Sequence, residues 1–512
     1  MRSRLRPGSL CLLCLGGCAQ LPARPELPAE SGIAVAAEDT VLDRRAGELE
    51  SRNPAASAFR LVSEGPEAFA IRAHSADLAG RSIDVQTYIW HADVTGLYLA
   101  HRLLEAADRG VSVRLLLDDM DARAKSAGFA ALDAHPDIRI RVFNPFATRR
   151  GILRQLGELV GSFGRINHRM HNKSWTADNR IAIVGGRNIG DEYFGASDAG
   201  NFIDLDFALA GPVVRDVTEA FDAYWNSVAA YPMDLLDPKR VSVAELEALR
   251  ARLAVFAGEA ASSPFAEELR GNDAIRRLFA GDWPMTWVSS YRFVADDPLK
   301  ATLESSALDR SRVLQLLLPE ITATQRSLLV VSPYFVPRES GTQLFTGVAA
   351  DGKSVGILTN SLAATDVAAV HAGYSRHRRA LLEGGVQLWE LKPQGEGQAQ
   401  SGFGGSSSAS LHTKALAIDG ELLFVGSYNL DPRSTSLNCE QGVLVRHAGL
   451  ANEFGAIFSM QISDDRAWRV TLNGDDLRWS DGARNFDGDP QASFWRRFQA
   501  WLARLLHVDA QL

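Results

Sequence analysis

A chain of 512 residues, 46% hydrophobic and 23% charged, is long enough for two domains that each bury a core. Its formal charge of −8 argues against broad nucleic-acid binding. Three of the four cysteines (Cys11, Cys14, Cys18) fall at the very start, so Cys439 alone can form neither an intrachain disulfide framework nor a Cys/His zinc cluster.

Arg2, Arg4 and Arg6 precede the apolar run Leu10 to Leu15, and no acidic residue occurs before Glu26. This basic-then-apolar order is that of an export signal, too short to span a bilayer. It ends in Leu15-Gly16-Gly17-Cys18, which resembles a bacterial lipobox, cleaved before a cysteine that carries lipid. Residues 1–17 are therefore expected to be a removed signal peptide, Cys18 the lipidation site and residues 18–55 a polar tether. An ordinary signal peptide that happens to contain a cysteine is the competing reading. Ala19, non-acidic, implies sorting to the outer membrane, with the protein lipid-anchored in a bacterial cell envelope and facing the periplasm. Loss of the three arginines takes the formal charge from −8 to −11.

Arg81 to Tyr88 is short, apolar and β-branched, and reads as a buried strand opening a first half over residues 56–240. A helix-like segment and a second strand, Val111 to Leu117, follow, as in α/β units. Ile152, Leu153, Leu156, Leu159, Val160 and Phe163 recur at helical spacing beside Arg149, Arg150, Arg154 and Arg165. Such a stripe suits a lipid headgroup layer or the protein's own core equally. His168 reads as a loop histidine near an entrance, placed to meet a headgroup. Then comes His171-Asn172-Lys173, four residues, Asp178, and further on Gly185-Gly186-Arg187-Asn188.

Val241 to Leu269, rich in Ala, Glu, Leu and Arg, reads as helix within a connector at 241–285. The second half, 286–480, opens with a strand at Arg326 to Ser332 and another at Ser354 to Leu358. Tyr374 and Arg378 belong to a helix before Gly385, and either point at a cleft or solvate that helix. Lys392 to Ser410, dominated by Pro, Gly, Gln and Ser, reads as a mobile loop, a tolerated insertion or a cover for the site. It runs into His412-Thr413-Lys414, four residues, Asp419, then Gly426-Ser427-Tyr428-Asn429.

Histidine, lysine, aspartate, glycine and asparagine all repeat at one offset of 241 positions. Five matches at one offset are not chance: the active site is duplicated. Alternation along Leu411 to Ala415 places His412 and Lys414 on one strand face, where both reach one phosphate. His171 and Lys173 inherit that geometry. At the end, within 481–512, Phe494, Trp495, Phe498, Trp501, Leu502, Leu505 and Leu506 form an apolar helical stripe beside Arg496, Arg497 and Arg504. Packing on the protein's own core is the expectation for this stripe; the headgroup layer is the alternative.

From about Phe59 to the C-terminus the chain resembles the phospholipase D superfamily and, within it, bacterial cardiolipin synthases of the C type. The resemblance is carried by His168-Arg169-Met170-His171-Asn172-Lys173, by Val184 to Phe194, and by Asn429-Leu430-Asp431-Pro432-Arg433-Ser434. It implies an α/β fold of two pseudo-symmetric halves, each a mixed sheet flanked by helices, sharing one central cleft. It also implies His171 as nucleophile and His412 as acid/base, with Asp204 and Glu440 orienting the imidazoles and Asp206 a possible substitute for Asp204. Asp178 and Asp419 complete the catalytic motif, yet they stand five residues beyond the lysines. That distance suits a structural task in the turn and in packing half against half.

The chemistry fits these residue types. Imidazole attacks phosphorus to give a labile phosphohistidine, and a second histidine protonates the leaving oxygen and later deprotonates the incoming hydroxyl. Lys173, Lys414, Asn188 and Asn429 hold the non-bridging oxygens, so no metal or cofactor is required. Each motif supplies one histidine, so the halves must face each other. The resemblance implies a membrane partner and phospholipid substrates (phosphatidylglycerol, or phosphatidylethanolamine as donor), with no nucleic acid, and cardiolipin as product. Phospholipase D hydrolysis to phosphatidic acid, a nuclease-type phosphodiesterase and an inactive envelope scaffold are the alternatives.

Overall fold

In the computed structural model the apolar runs become the inner strands of two sheets. The structure describes residues 21–32, 39–148, 158, 163–236, 241–300, 310–393 and 410–505. The first sheet comprises β1 (Ser57–Val62), β2 (Ser82–Thr87), β3 (Ser112–Asp118), β4 (Ile138–Phe143), β5 (Ser174–Ala177), β6 (Ile181–Gly185), β7 (Asp206–Ala210), β8 (Ala230–Pro232) and β9 (Thr286–Val288). Its order is β8-β4-β3-β2-β5-β6-β7-β1-β9.

The second sheet comprises β10 (Tyr291–Ala295), β11 (Ser327–Val331), β12 (Ser354–Asn360), β13 (Gln387–Leu391), β14 (Ala415–Ile418), β15 (Leu422–Gly426), β16 (Gln441–Arg446), β17 (Ala467–Asn473), β18 (Asp476–Ser480) and β19 (Asn485–Phe486). Its order is β10-β16-β15-β14-β11-β12-β13-β17-β18-β19. The run β4-β3-β2-β5-β6-β7-β1 recurs as β13-β12-β11-β14-β15-β16-β10, so the sequence duplication is a duplication of topology. In each half three strands are parallel, joined through helices, and the motif strands run antiparallel as hairpins.

Each sheet packs one face on its own helices and shares the other. Ile83, Val85, Val113 and Leu115 meet Leu99 and Leu103 of the helix Val94–Asp108. In the second half Leu328, Val330 and Ile357 meet Phe345 of the helix Arg338–Ala350. The opposite faces join one apolar cluster: Phe59, Val184, Phe207 and Leu209 from the first sheet, Leu358, Ala417, Val425 and Val443 from the second. Helices Val213–Asn226 and Ala448–Gln461 add Val214, Val217, Phe454 and Phe458 to it.

Several boundaries move. β9 pairs with β1, so the first sheet reaches Val288, beyond the expected start of the second half at 286. β19 carries the second sheet past 480. The expected tether docks instead of trailing. The Arg24 guanidinium donates to the Ala230 carbonyl at 2.8 Å, Glu30 pairs with Arg141 at 2.8 Å, and Thr40 and Asp43 cap a helix, Val41–Arg52, that buries Leu42. Its polar residues find partners on the first half, which a tally of polarity does not reveal. Cys18 lies outside the described residues, as do most of the arginine-flanked stripe at 149–163 and residues 394–409 of the expected loop. The connector is helical: Val243–Ala260, opened by a Ser242–Glu245 capping box, packs Leu246 and Leu253 into the first-half core. The C-terminal helix Phe494–Leu505 buries only Ala500 (the apolar stripe expected to pack is exposed).

The repeated aspartates lock turns. Asp178 (φ 51°) and Asn179 (φ 55°) form the left-handed corner between β5 and β6, as Asp419 (φ 58°) and Gly420 (φ 67°) do between β14 and β15. Asp178 accepts from the amides of Gly80, Arg81 and Ser82 at 2.9, 2.8 and 3.0 Å, fixing the start of β2. Asp419 accepts from Gln325, Arg326 and Ser327 at 3.0, 2.6 and 2.9 Å, fixing the start of β11. Each works wholly within its own half, so the expected share in half-to-half packing and the grouping with catalytic residues are both corrected. Asp178 is fully buried and Asp419 half-exposed. Asp178→Ala, which orphans the buried amides of Arg81 and Ser82 and the part-buried amide of Gly80, is expected to cost about 3 kcal/mol of stability, and Asp419→Ala clearly less. Urea denaturation of both variants checks the order.

Candidate active site

Two backbone bridges join the halves, and each delivers one histidine to one acid. Met170 pairs with Cys439 as a parallel bridge, and their successors, His171 and Glu440, meet with Nδ1 to Oε2 at 2.9 Å. Ile203 pairs with Leu411 in the same way, and their successors, Asp204 and His412, meet with Oδ2 to Nδ1 at 2.6 Å. The His171 amide donates to the Cys439 carbonyl at 2.9 Å, and the His412 amide to the Ile203 carbonyl at 2.8 Å. Each acid therefore belongs to the half that does not supply its histidine. With Nδ1 engaged, Nε2 is the free nitrogen of both rings.

These bridges also explain where the motif strands begin. β5 starts at Ser174 and β14 at Ala415, so the histidines and lysines lie on extended approaches and not within strands. The histidine amides are bonded to the opposite half in place of a sheet neighbour. The approach is clamped a second time from the ends of β3 and β12. Asp118 accepts from the Met170 amide at 2.9 Å and pairs with Arg169 at 3.1 Å. Asn360 exchanges hydrogen bonds with Leu411 at 2.9 and 3.0 Å.

Behind each acid stands a buried charged support. Glu440 accepts from the hydroxyls of Ser427 and Ser434 at 2.5 and 2.8 Å, and its amide donates to Asp296 at 3.1 Å. Asp296 pairs with Lys300 at 2.7 Å, and that ammonium also donates to the carbonyls of Ser434 and Asn438. On the other side Arg187 donates to the carbonyls of Asp204 and Val62 at 2.7 and 2.8 Å and pairs with Asp206 at 3.3 Å. Asp206 also pairs with Arg72 at 3.0 Å, so it anchors this support and does not stand in for Asp204. The Arg187 support, the serines and Lys300 were not singled out from sequence. Arg72, a charge inside the apolar run Ala68 to Ala73, is the sequence signal that marks a buried ion pair.

The lysines fold back over the motif. The ammonium of Lys173 donates to the His171 carbonyl at 2.6 Å, and that of Lys414 to the His412 carbonyl. Each retains two N–H donors for a ligand. Asn188 donates to the Tyr193 hydroxyl at 2.9 Å, while the buried amide oxygen of Asn429 has no hydrogen-bond partner among the described residues. Tyr88 stands edge-on to His171, and Tyr193 to His412, both with ring centroids 5.3 Å apart.

Burial decides the protonation of the imidazoles. It lowers His171 to about 4 and His412 to about 3, against the opposing pull of Glu440 and Asp204, so both rings are neutral at neutral pH. Burial likewise brings Lys414 down to about 8 and Lys173 well below its ordinary value. Lys414 acts on His171, and Lys173 on His412, so the four side chains form one electrostatic unit. The arrangement offers two uncommitted imidazole nitrogens and ammonium donors around one anion-binding space, which is the equipment for in-line group transfer at phosphorus.

Other expected residues fall elsewhere. His168 bonds through Nδ1 to the Leu437 carbonyl at 3.0 Å, and so serves the junction of the halves. Tyr374 and Arg378 are buried in the second-half core, neither facing the cleft nor solvated. Arg378 pairs there with Glu390 at 3.0 Å and Asp489 at 2.8 Å. A cation thus already fills the grouping His371–Glu390–Asp489. A second grouping, His91–Asp93–Glu192, is half-exposed, and Asp93 is spent on the amides of Gly96 and Asp191 at 3.0 and 2.7 Å. Neither grouping contains a histidine, lysine or aspartate of the duplicated motif.

Comparison with known proteins agrees with the two-half fold. The family model described as "Cardiolipin synthase, PLD-like domain" matches residues 74–225 and 317–462, one stretch in each half. Cardiolipin synthase C of Escherichia coli (strain K12) is 39% identical over 468 residues, spanning 90% of this chain and 97% of its own. Cardiolipin synthase A of Pseudomonas syringae pv. syringae (strain B728a) is 26% identical over 385 residues, 74% of this chain and 63% of that protein. The crystal structure of phosphatidylserine synthase from Haemophilus influenzae Rd KW20 superposes with a TM-score of 0.58 over 92% of this chain and 99% of that one. At 14% identity it shows the shared fold.

If the acids act by fixing each imidazole, Glu440→Gln and Asp204→Asn should each lower kcat about a hundredfold or more while KM changes little. Steady-state kinetics beside circular dichroism of the folded variants separates this from a loss of structure.

Proposed function

The chain belongs to the family of phospholipase D-like cardiolipin synthase domains, and we propose that it transfers a phosphatidyl group between phospholipids to form cardiolipin. The observation that carries this reading is the exchange of acids across the halves: His171 on Glu440 and His412 on Asp204. Two imidazoles, one to attack and one to move protons, stand in one anion-binding space.

The donor is phosphatidylglycerol or phosphatidylethanolamine. Nε2 of His171 attacks phosphorus, the bond from phosphorus to the headgroup oxygen breaks, and His412, which takes up a proton on Nε2 as the phosphodiester anion binds, passes that proton to the departing alcohol. The terminal hydroxyl of a second phosphatidylglycerol then attacks the phosphohistidine, giving its proton to His412 as the phosphorus–nitrogen bond breaks. Lys173, Lys414 and Asn429 hold the non-bridging oxygens throughout. The assignment of His171 as nucleophile follows the family's usual order, since the two half-sites are equivalent in their hydrogen bonds. The protein works on a bacterial envelope membrane, lipid-anchored through Cys18 and facing the periplasm. Because Arg24 is already bonded to the first half, such an anchor would hold the body close to the bilayer.

Incubation of the purified chain with defined phospholipids, followed by mass analysis, is expected to yield cardiolipin; phosphatidic acid as the main product would replace transfer by hydrolysis. His171→Asn should trap nothing. His412→Asn, given a donor with a good leaving group, should accumulate the phosphatidyl adduct on His171. An adduct on His412 in the first variant, with none in the second, would reverse the roles.

Cys18→Ser should release the protein from membranes to the extent that the lipid is its anchor. Fractionation of cells expressing that variant measures this.

A further inference from the structure

The helix Phe494–Leu505 carries its apolar side outward. At about 100° per residue, Arg496, Ala500 and Ala503 share one side. That side lies against the protein: Ala500 is buried, and with Ala503 it packs on Leu362, Ala368 and Ala372. The opposite side holds Phe494, Trp495, Phe498, Trp501, Leu502 and Leu505, with Phe494 83% exposed, Trp501 53% and Leu505 59%. Trp495, Phe498 and Trp501 stack in sequence, ring centroids 5.4 and 5.8 Å apart, into a continuous aromatic ladder. Arg497 and Arg504 border it. Small residues inside and large apolar ones outside invert the usual plan of a surface helix.

We propose that this helix is a lipid-surface docking element, whose aromatic stripe enters the headgroup layer of an anionic bilayer and holds the cleft against it. Three observations favour a bilayer over another occupant. Trp and Phe rings flanked by arginines complement an interface that is apolar beneath and anionic above. A helix of 12 residues is too short to cross a membrane, and no described helix is long and apolar enough to do so. The helix is also tied to the rim of the cleft. Arg496 donates to the carbonyls of Leu362 and Thr365. The next residue, Asp366, accepts from the Tyr334 hydroxyl at 2.6 Å. Asn360, just before this loop, clamps the approach to His412. The choice of lipid as occupant rests on the reading of the substrate as a phospholipid.

The test uses the full chain carrying Cys18→Ser, so that no attached lipid contributes. It is mixed with phosphatidylcholine vesicles containing or lacking phosphatidylglycerol, with bromine on the acyl chains as a quencher. Tryptophan fluorescence should be quenched in the anionic vesicles, most strongly by bromine near the headgroup, and a Trp495→Phe/Trp501→Phe variant should lose most of that quenching. A Phe494→Ser/Trp501→Ser/Leu505→Ser variant should partition onto vesicles at least about tenfold more weakly. It should lose turnover on vesicles in step, yet keep its rate on a short-chain phospholipid dispersed in detergent. Quenching unchanged in the phenylalanine variant, or undiminished partitioning of the serine variant, would overturn the proposal. So would a parent chain that dimerises in lipid-free buffer beside a monomeric serine variant, because a second copy would then be the occupant. A chain that inserts its tryptophans but forms no transfer product leaves this inference intact and removes the reading of the cleft.

Discussion

The cleft depends on two short backbone bridges, Met170 to Cys439 and Ile203 to Leu411. A histidine and an acid that meet at 2.6–2.9 Å tolerate little error, and here the partners come from residues more than 200 apart in sequence. Side-chain contact alone would leave that distance to chance. Bonding the backbone one residue earlier fixes both strands of the encounter, so the imidazole has its orientation before any ligand arrives. Asp118 and Asn360 at the ends of β3 and β12, and the Lys300 and Arg187 supports behind the acids, are successive braces on the same two encounters.

The buried charges follow from the same arrangement. Lys173 and Lys414 stand against Asp204 and Glu440 while both imidazoles are neutral, and burial weakens the hold of both lysines on their protons. A phosphodiester monoanion upsets that balance. It restores the lysines toward full protonation and favours a proton on an imidazole, which is the state a general acid requires. Substrate entry thus arms the site, whereas a cluster that was cationic in advance would hold any passing anion.

The duplication, the inner strands, both histidines and both lysines are legible in the sequence through repeated spacing and apolar runs, whereas the two orienting acids come from the family resemblance. Residues whose task depends on what the chain meets after folding are not legible in this way. The carboxylate of Asp178 repeats with the motif yet works on Gly80 to Ser82, a partner that only the hairpin brings near. Tyr374 and Arg378 read as either cleft-facing or solvated, and neither reading anticipates Glu390 and Asp489 enclosing the guanidinium. Residues 21–32 belong to the stretch expected as a polar tether, but Asn226, Arg141 and Ala230 supply partners for Glu30 and Arg24. For the last helix, periodicity correctly gives a stripe; it carries no sign of which side faces the protein.

The apolar cluster between the sheets bears on how this molecule is made. Phe59, Val184, Phe207 and Leu209 are covered by residues of the other half, including Val425 and Val443. A nascent first half has all its strands through β8 before any of that cover has been synthesised, and β9 follows only after the helical connector. If it folds ahead of the second half, it holds one sheet face open to water, a surface prone to association with other chains. The repeat that looks like two modules in sequence is a single unit in folding, because neither half covers its inner sheet face alone.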